Sequence, residues 1–170
     1  MPAQPGAAAQ AEQHGFVLTR TFYRVPNRDP GNAAPMQRLD PAADGTLRLA
    51  IGDVVEEVDE LVTPADREQV ALHLPLPAGL EPLNPALATA PAEATPSAGP
   101  TVPPAWSSFG DDEVLHVWLA LPRGTAVLRT RMRATVAGSF TAPPATAEML
   151  YETSVTGSSA GQRIVVSRTP

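Results

Sequence analysis

The sequence contains no cysteine. It can therefore form no disulfide bond, and it has neither a thiol nucleophile nor a cysteine ligand for a metal. The lack of disulfides still allows an extracytoplasmic location, because secreted domains with a large core do not depend on them. No apolar run approaches the length needed to cross a bilayer, so we expect no direct insertion into a membrane.

Basic residues are also scarce: 12 Lys and Arg stand against 18 Asp and Glu, a formal net charge of −6. Such a chain is poorly suited to a phosphate backbone, so we expect no nucleic-acid partner. Arg129, Arg131 and Arg133 form a basic stripe on one strand face, but no aromatic residues are interleaved with them. We expect this stripe to pair with carboxylates of a neighbouring strand, with Glu57 and Asp59 as candidates.

The first 14 residues are rich in Ala, Gln, Pro and Gly. This composition predicts a flexible lead before a single folded domain over residues 15–168. The lead has neither the basic nor the leucine-rich region of a signal peptide. If the domain works in the periplasm or outside the cell, we expect the export signal in an upstream part of a longer protein.

Alternating apolar and polar residues predict β-strands along most of the chain. The clearest patterns are at residues 15–25, 47–51, 70–74 and 126–136. No long i, i+3, i+4 apolar pattern is present, so we expect little or no helix. About seven strands separated by turns predict an all-β fold, an antiparallel β-sandwich of immunoglobulin-like type.

Three further segments carry specific expectations. Leu47, Leu49 and Ile51 are predicted to share a buried face, and the apolar run at residues 114–121 is typical of a strand covered on both sides. Residues 84–105, rich in Pro, Ala and Thr, are predicted to be a long mobile loop that adds nothing to the core.

One short motif suggests catalysis. Gly157, Ser159 and Gly161 match G-x-S-x-G, the nucleophile elbow of α/β-hydrolases. That motif works at a strand-to-helix turn, with a histidine later in the chain than the serine. Here the following residues, QRIVVS, predict a strand, and every histidine precedes Ser159. We interpret the motif as a hairpin loop of small residues and expect no catalytic residue.

Metal ligands are likewise not expected. His14, His73 and His116 lack ligand spacing, whereas a zinc site needs three or four converging groups. The acidic stretch at residues 53–60 suggests calcium, but successive carboxylates of a strand point to opposite faces. We expect a solvated strand surface there, and no metal or cofactor.

Three blocks of the sequence, taken in order, resemble a known family. The first is GFVLTRTFYRV at residues 15–25, and the second, at residues 47–87, contains GDVVEEV, PADREQVAL and PLPAGLEPLN. The third, at residues 111–157, contains LPRGT, RATVAGSF and PPATAEMLYETSVTG. Together the blocks are similar to the C-terminal macroglobulin-like domain of bacterial alpha-2-macroglobulins.

The resemblance implies a macroglobulin-type β-sandwich within a periplasmic endopeptidase inhibitor. In that family, cleavage of a bait region triggers a rearrangement, and an internal thioester captures the protease. The thioester comes from a C-x-E-Q motif in a separate helical domain, and this chain has no such motif. The resemblance therefore implies a non-catalytic domain that meets target proteases only through its parent protein.

The resemblance also implies a contact site. In the family, the Met-Tyr pair of an A-E-x-M-Y motif packs on the thioester and excludes water until activation. That pair falls here on Leu150 and Tyr151, directly after Met149. The implied partners of these residues are the thioester-bearing and other macroglobulin domains of the parent. Thr153 and Thr156 depart from the family pattern, which often has Pro and an aromatic residue there.

A different class of protein is the alternative: a cell-surface Ig-like adhesion or spacer module. Tandem Ig-like repeats and an anchor upstream would favour that alternative, whereas an in-frame helical domain with C-x-E-Q would favour the inhibitor.

Overall fold

The computed structural model describes residues 10–26 and 34–168 of the chain. These residues form fourteen β-strands and one short 3-10 helix at Ala92–Ala94. The strands are β1 (Glu12–His14), β2 (Val17–Val25), β3 (Gln37–Arg38), β4 (Thr46–Ala50), β5 (Val54–Thr63), β6 (Arg67–Pro75), β7 (Leu80–Leu83), β8 (Trp106–Phe109), β9 (Glu113–Leu121), β10 (Gly124–Ala134), β11 (Gly138–Ala142), β12 (Thr146–Met149), β13 (Glu152–Ser158) and β14 (Gln162–Ser167). No helix of the described chain is long and apolar enough to cross a membrane.

The strands are arranged in three sheets. Sheet A has the order β1-β13-β12-β6-β9-β8, sheet B has β3-β2-β5-β10-β7, and sheet C has β11-β14-β4. Neighbouring strands of these sheets are antiparallel except β14 and β4, which run parallel. The longest pairings join β5 to β2 and to β10 in the middle of sheet B.

One hydrophobic core draws side chains from all three sheets. The alternation predicted for Val70, Leu72 and Leu74 is observed, since all three are buried in β6. Phe16 and Trp118 are among the largest fully buried side chains. Burial of each such side chain typically contributes about 1.5–3 kcal/mol, which explains why the pattern of alternation carries the fold.

The expected fold class is confirmed: the domain is all-β, mostly antiparallel, and almost without helix. The described strands outnumber the seven or so expected because short edge strands, such as β3 and β8, have too few residues for a visible alternation.

The N-terminal lead needs a correction as well. Residues 1–9 lie outside the described residues, but Glu12–His14 pair with β13 at the edge of sheet A, so any flexible lead ends before Glu12.

Residues 84–105 differ most from expectation. They form a segment, here called the strap, that crosses the outer face of sheet B. Thr101 and Val127 exchange two hydrogen bonds, Thr101 N–H to the Val127 carbonyl at 3.1 Å and Val127 N–H to Thr101 Oγ1 at 2.9 Å. The indole of Trp118 donates to the Val102 carbonyl at 3.0 Å, and Ala94 is fully buried. The amino-acid composition of the strap does not predict this packing, because the strap is held by backbone groups and single side chains rather than by a periodic apolar face.

Smaller differences concern the strand ends. Ile51 follows the last residue of β4 and is 45% exposed, so it does not continue the buried face of Leu47 and Leu49. Leu119 in β9 is 60% exposed, so the apolar run at residues 114–121 is not covered on both sides.

Candidate functional site

The tip of the β12–β13 hairpin carries the three residues singled out from the sequence. Met149 ends β12, and Leu150 and Tyr151 form the turn into β13. The register of the pairing shifts between Glu148 and Met149, which widens the hairpin at its tip. Met149 packs against the core, whereas Leu150 is 43% exposed and Tyr151 is 86% exposed. The hairpin therefore exposes Tyr151 to solvent, and Met149 anchors the hairpin to the core.

Gln69 holds this hairpin to the next strand. The Leu150 N–H donates to the Gln69 carbonyl at 2.8 Å. Gln69 has φ of 52°, a left-handed conformation that is unusual for a residue with a side chain. Backbone strain of this kind typically costs about 1–3 kcal/mol and persists only where the surrounding structure imposes it. The strained Gln69 backbone and the exposed hairpin tip are thus joined directly by the hydrogen bond between Leu150 and Gln69.

Further apolar side chains lie on the same sheet next to the hairpin. Val70 pairs with Met149 on one side and with Trp118 on the other, so strand β6 lies between the hairpin and Leu119 of β9. Trp106 pairs with Val117 on the next strand and is 54% exposed. Leu119, Trp106, Leu150 and Tyr151 together are called the apolar surface below. Large exposed apolar residues gathered in this way typically mark a contact with another protein surface.

Ser159 is a structural residue. It is buried in the loop between β13 and β14, where its Oγ accepts the Ala145 N–H at 2.9 Å and donates to the Ala160 carbonyl at 3.2 Å. The residues that follow form strand β14, as expected, and not the helix that a hydrolase elbow requires. The hydroxyl is committed to these two bonds and faces no histidine.

His73 lies between two carboxylates. Its Nδ1 is 3.3 Å from the Glu113 carboxylate and its Nε2 is 3.2 Å from that of Glu148. Because the carboxylates sit on opposite sides of the ring, the three groups do not converge on one point. No cluster of three metal-ligating side chains is found in residues 10–26 and 34–168.

His116 is buried in β9. The Ser107 hydroxyl is 2.7 Å from its Nδ1, and burial lowers its pKa to about 4. The imidazole is therefore uncharged at neutral pH.

The acidic stretch of β5 is not the solvated surface expected from the sequence. Glu56, Glu57 and Asp59 are all buried, because the strand lies in the middle of sheet B with cover on both faces. Glu57 forms an ion pair with Arg20, whose side chain is also buried. The alternation of this strand is irregular because charged and apolar residues share its inner face.

The basic stripe pairs with carboxylates, as expected, but with different ones. Arg131 donates to Glu56 at 2.8 Å and Arg129 lies 3.8 Å from Glu56. Arg133 contacts Glu93 of the strap at 2.6 Å. Glu57 cannot serve because the stripe lies on the outer face of sheet B, whereas Glu57 points into the core.

Comparison with known proteins places the chain among macroglobulin domains. Residues 15–153 match the family described as "Bacterial Alpha-2-macroglobulin MG10 domain". No curated protein matches the chain.

Solved structures of bacterial alpha-2-macroglobulins share the fold. The Salmonella protein reacted with methylamine is 18% identical with a TM-score of 0.68, over 96% of this chain and 10% of that chain. The trypsin-activated protein from Escherichia coli is 17% identical with a TM-score of 0.70, over 95% and 11%. The native E. coli protein from domain MG7 to the C-terminus is 17% identical with a TM-score of 0.64, over 96% and 25%. This chain thus spans a quarter or less of these proteins.

Proposed function

The chain belongs to the family of bacterial alpha-2-macroglobulin MG10 domains, and we propose that it is a non-catalytic, C-terminal domain of an alpha-2-macroglobulin-like endopeptidase inhibitor. In this proposal, Leu150 and Tyr151, supported by Met149, pack against the thioester-bearing domain of the parent protein. Their role is to keep water away from the thioester until the inhibitor is triggered. Target proteases are met through the parent protein alone, in the periplasm or outside the cell.

The exposure of Tyr151 is the observation that carries this proposal. A tyrosine that is 86% exposed contributes little to the core of its own domain. Tyr and Trp are, however, the residues that most often anchor protein interfaces, because they supply a large rigid area at a small cost in side-chain entropy. The hairpin presents Tyr151 in this way at the position that matches the shielding motif.

The apolar surface around the hairpin supports a contact with a second domain. Leu119 of β9 and Trp106 of β8 are further exposed apolar side chains on the same sheet, beyond the intervening strand β6. Such a surface is unfavourable in water, and a multidomain parent supplies a partner for it. The alpha-2-macroglobulin chains that share the fold are four to ten times longer than the matched part, which leaves many neighbouring domains to cover it.

Shielding has a clear physical purpose. A thioester is an activated acyl group, and excluding water from it prevents hydrolysis before the protein is triggered. The related Salmonella alpha-2-macroglobulin reacts with methylamine. Reaction with a small amine is therefore a direct measure of how well such a group is covered.

The test uses the full-length parent protein carrying Tyr151→Gly. Truncating an aromatic anchor at an interface typically costs about 2 kcal/mol, which corresponds to about a thirtyfold shift in the closed-to-open balance. We expect inactivation by methylamine to accelerate to that extent. Leu87→Gly is the matched control, because Leu87 is also exposed but lies on the strap, away from sheet A.

Three results would count against the proposal. Equal methylamine reactivity in Tyr151→Gly and wild type would leave Tyr151 without a shielding role. A parent that carries no C-x-E-Q motif would remove the thioester altogether, and tandem Ig-like repeats upstream would favour the adhesion or spacer alternative.

A further inference from the structure

The inner face of β5 carries two carboxyl groups in the middle of the core. Side chains two residues apart in a strand point the same way, so Val55, Glu57, Asp59 and Leu61 share one face, and all four are buried. The apolar members of this row belong to the core cluster. One guanidinium is available to the two acids: Arg20 on β2, which pairs in register with Asp59.

Arg20 already makes four hydrogen bonds, two to Glu57 and two to backbone carbonyls. Its Nε and Nη2 donate to the Glu57 carboxylate, the second at 3.0 Å. Its Nη1 donates to the Pro143 carbonyl at 2.7 Å, and Nη2 also donates to the Pro75 carbonyl at 2.9 Å. Pro75 ends β6 and Pro143 precedes β12, so Arg20 links sheet B to sheet A. Neither oxygen of Asp59 accepts a hydrogen bond from a donor of the described chain, but the adjacent Glu57 carboxyl is close enough to accept a hydrogen bond from a protonated Asp59.

No other charged group of the described core compensates Asp59. On β10 its register partner is Leu128, and the basic residues of that strand point to the outer face toward Glu56. From the opposite sheet, the ionisable group in the core is His116, which burial keeps uncharged at neutral pH. Arg67 of β6 lies against Gly15, at the junction of β1 and β2. Strands β4 and β14 contribute apolar side chains to the core.

The charge balance of this cluster is therefore incomplete. Two acids share one cation, and four of its five N–H donors point to Glu57 and to two carbonyls. Burial, and next the negative charge of Glu57, raise the pKa of Asp59 well above its ordinary value, while Arg20 partly offsets the shift. A neutral Asp59 is the form that such an environment accepts.

We propose that Asp59 retains a proton in the folded domain and that its release is a pH-sensitive switch of the contact between sheets A and B. An ionised Asp59 competes with Glu57 for the guanidinium of Arg20. The competition draws Arg20 away from the Pro75 and Pro143 carbonyls and loosens the link between the sheets. The Asp59 O–H bond breaks, its electron pair stays on the carboxylate, and the proton goes to solvent. This device is independent of the proposed shielding role of Tyr151.

The direction of the pH effect follows from the raised pKa. The unfolded chain releases the Asp59 proton near pH 3.9, the ordinary value for Asp, whereas the folded domain keeps it. The contribution to stability is complete below the unfolded pKa and is lost as the pH rises through the folded pKa. In the window between the two values folding takes up one proton, so the folding equilibrium constant falls about tenfold per pH unit.

Urea unfolding of the 170-residue chain between about pH 4 and pH 9 tests the switch. We expect the folding constant of wild type, divided by that of Asp59→Asn, to fall with rising pH by up to about tenfold per unit. Titrating groups outside the cluster of Asp59, Glu57 and Arg20, including His116, are common to both proteins and cancel in this ratio. Glu60→Gln is the control, because Glu60 is exposed on the same strand and should leave the pH dependence of wild type unchanged. A ratio that stays constant over this range would overturn the proposal.

Carboxyl carbon NMR on folded wild type provides a test that needs no variant to fold. The Asp59 carboxyl is expected to titrate well above about pH 4, and Glu57→Gln to move that titration to lower pH by removing a negative charge and freeing Arg20. The Arg20 Nε–H resonance should shift at the same pH in wild type and not in Asp59→Asn. Titration of Asp59 at or below about pH 4 would contradict proton retention, and an unmoved Arg20 resonance would contradict the coupling between sheets.

Discussion

Arg131 and Glu56 form a buried ion pair between directly opposed positions of β10 and β5. The Arg131 Nε donates to Glu56 Oε2 at 2.8 Å, and the two residues are register partners in sheet B. Both side chains are almost completely removed from solvent, although they lie on the outer face of the sheet. The strap supplies the cover: Ser97 donates its N–H and its hydroxyl to the same Glu56 carboxylate, and the Glu93 carbonyl accepts from Arg131.

Removing one partner of this pair is expected to destabilise the domain strongly. Arg131→Met leaves Glu56 buried without its main counter-charge, and breaking a buried ion pair in this way typically costs about 3–5 kcal/mol. Urea unfolding of the isolated chain measures the loss. The double variant Glu56→Met/Arg131→Met should recover much of it, because an apolar pair needs no compensation for desolvation.

Arg38→Met is the matched control for this experiment. Arg38 forms a 3.2 Å ion pair with Asp40 in which both side chains are largely exposed, so its loss should change stability little. An Arg131→Met variant as stable as Arg38→Met would show that the buried pair contributes nothing.

The strap is expected to be necessary for stability rather than dispensable. Replacing residues 92–102 with a flexible Gly-Ser segment of equal length removes the Glu93 and Thr101 side chains and the buried Ala94, which hold the strap on sheet B. Each lost hydrogen bond of this kind typically contributes about 0.5–1.5 kcal/mol. Thermal unfolding should show a clear drop in Tm. The same replacement at residues 86–90, where the side chains are mostly exposed, should leave Tm nearly unchanged. Equal Tm values for the two replacements would restore the view of a dispensable loop.

The sequence predicts the part of the fold that depends on local alternation and misses the part that depends on distant partners. Val70, Leu72 and Leu74 can be assigned to the core from their spacing alone, because apolar burial needs no specific neighbour. Glu57 is buried with Arg20 as its ion-pair partner, which lies 37 positions earlier in the chain and on the neighbouring strand β2. The irregular alternation of β5 signals that one face mixes charge with apolar residues, but it does not identify the partner.

In the candidate site, too, local sequence predicts some features, whereas others depend on residues that are distant in the chain. The motif match identifies Leu150 and Tyr151, but their exposure and the strained Gln69 beside them follow from the hairpin geometry. Leu119 and Trp106 could not be joined to them from the sequence, because only the strand order and register of sheet A bring these residues onto one sheet. Surfaces of this kind are defined by strand order, which local patterns do not contain.

His116 is expected to make the domain less stable in mild acid. Its pKa is about 4 in the folded domain and about 6.5 in the unfolded chain. Because the folded pKa is lowered, the stabilising contribution is complete above about pH 6.5 and is lost as the pH falls toward 4. The full loss from a shift of this size is about 3 kcal/mol.

Urea unfolding of His116→Gln and wild type at each pH isolates this effect, since all other groups are shared. The difference in stability between the two proteins should shrink as the pH falls from about 6.5 to about 4. His14→Gln, at an exposed position of β1, should retain the full acid dependence of wild type. A His116→Gln variant with the same acid dependence as wild type would show that His116 does not titrate as its burial requires.

Tyr151 is expected to have no role in the stability of the isolated domain. Its ring is 86% exposed, so Tyr151→Ala removes almost no buried apolar area. Phe16→Ala is the matched comparison, since Phe16 is a fully buried aromatic and its truncation typically costs about 3–5 kcal/mol. Thermal unfolding of the 170-residue chain should place Tyr151→Ala at the Tm of wild type and Phe16→Ala well below it. A large loss of Tm in Tyr151→Ala would mean that the hairpin tip supports its own fold, and faster amine inactivation of a Tyr151 variant in the parent protein could then no longer be assigned to a lost contact between domains.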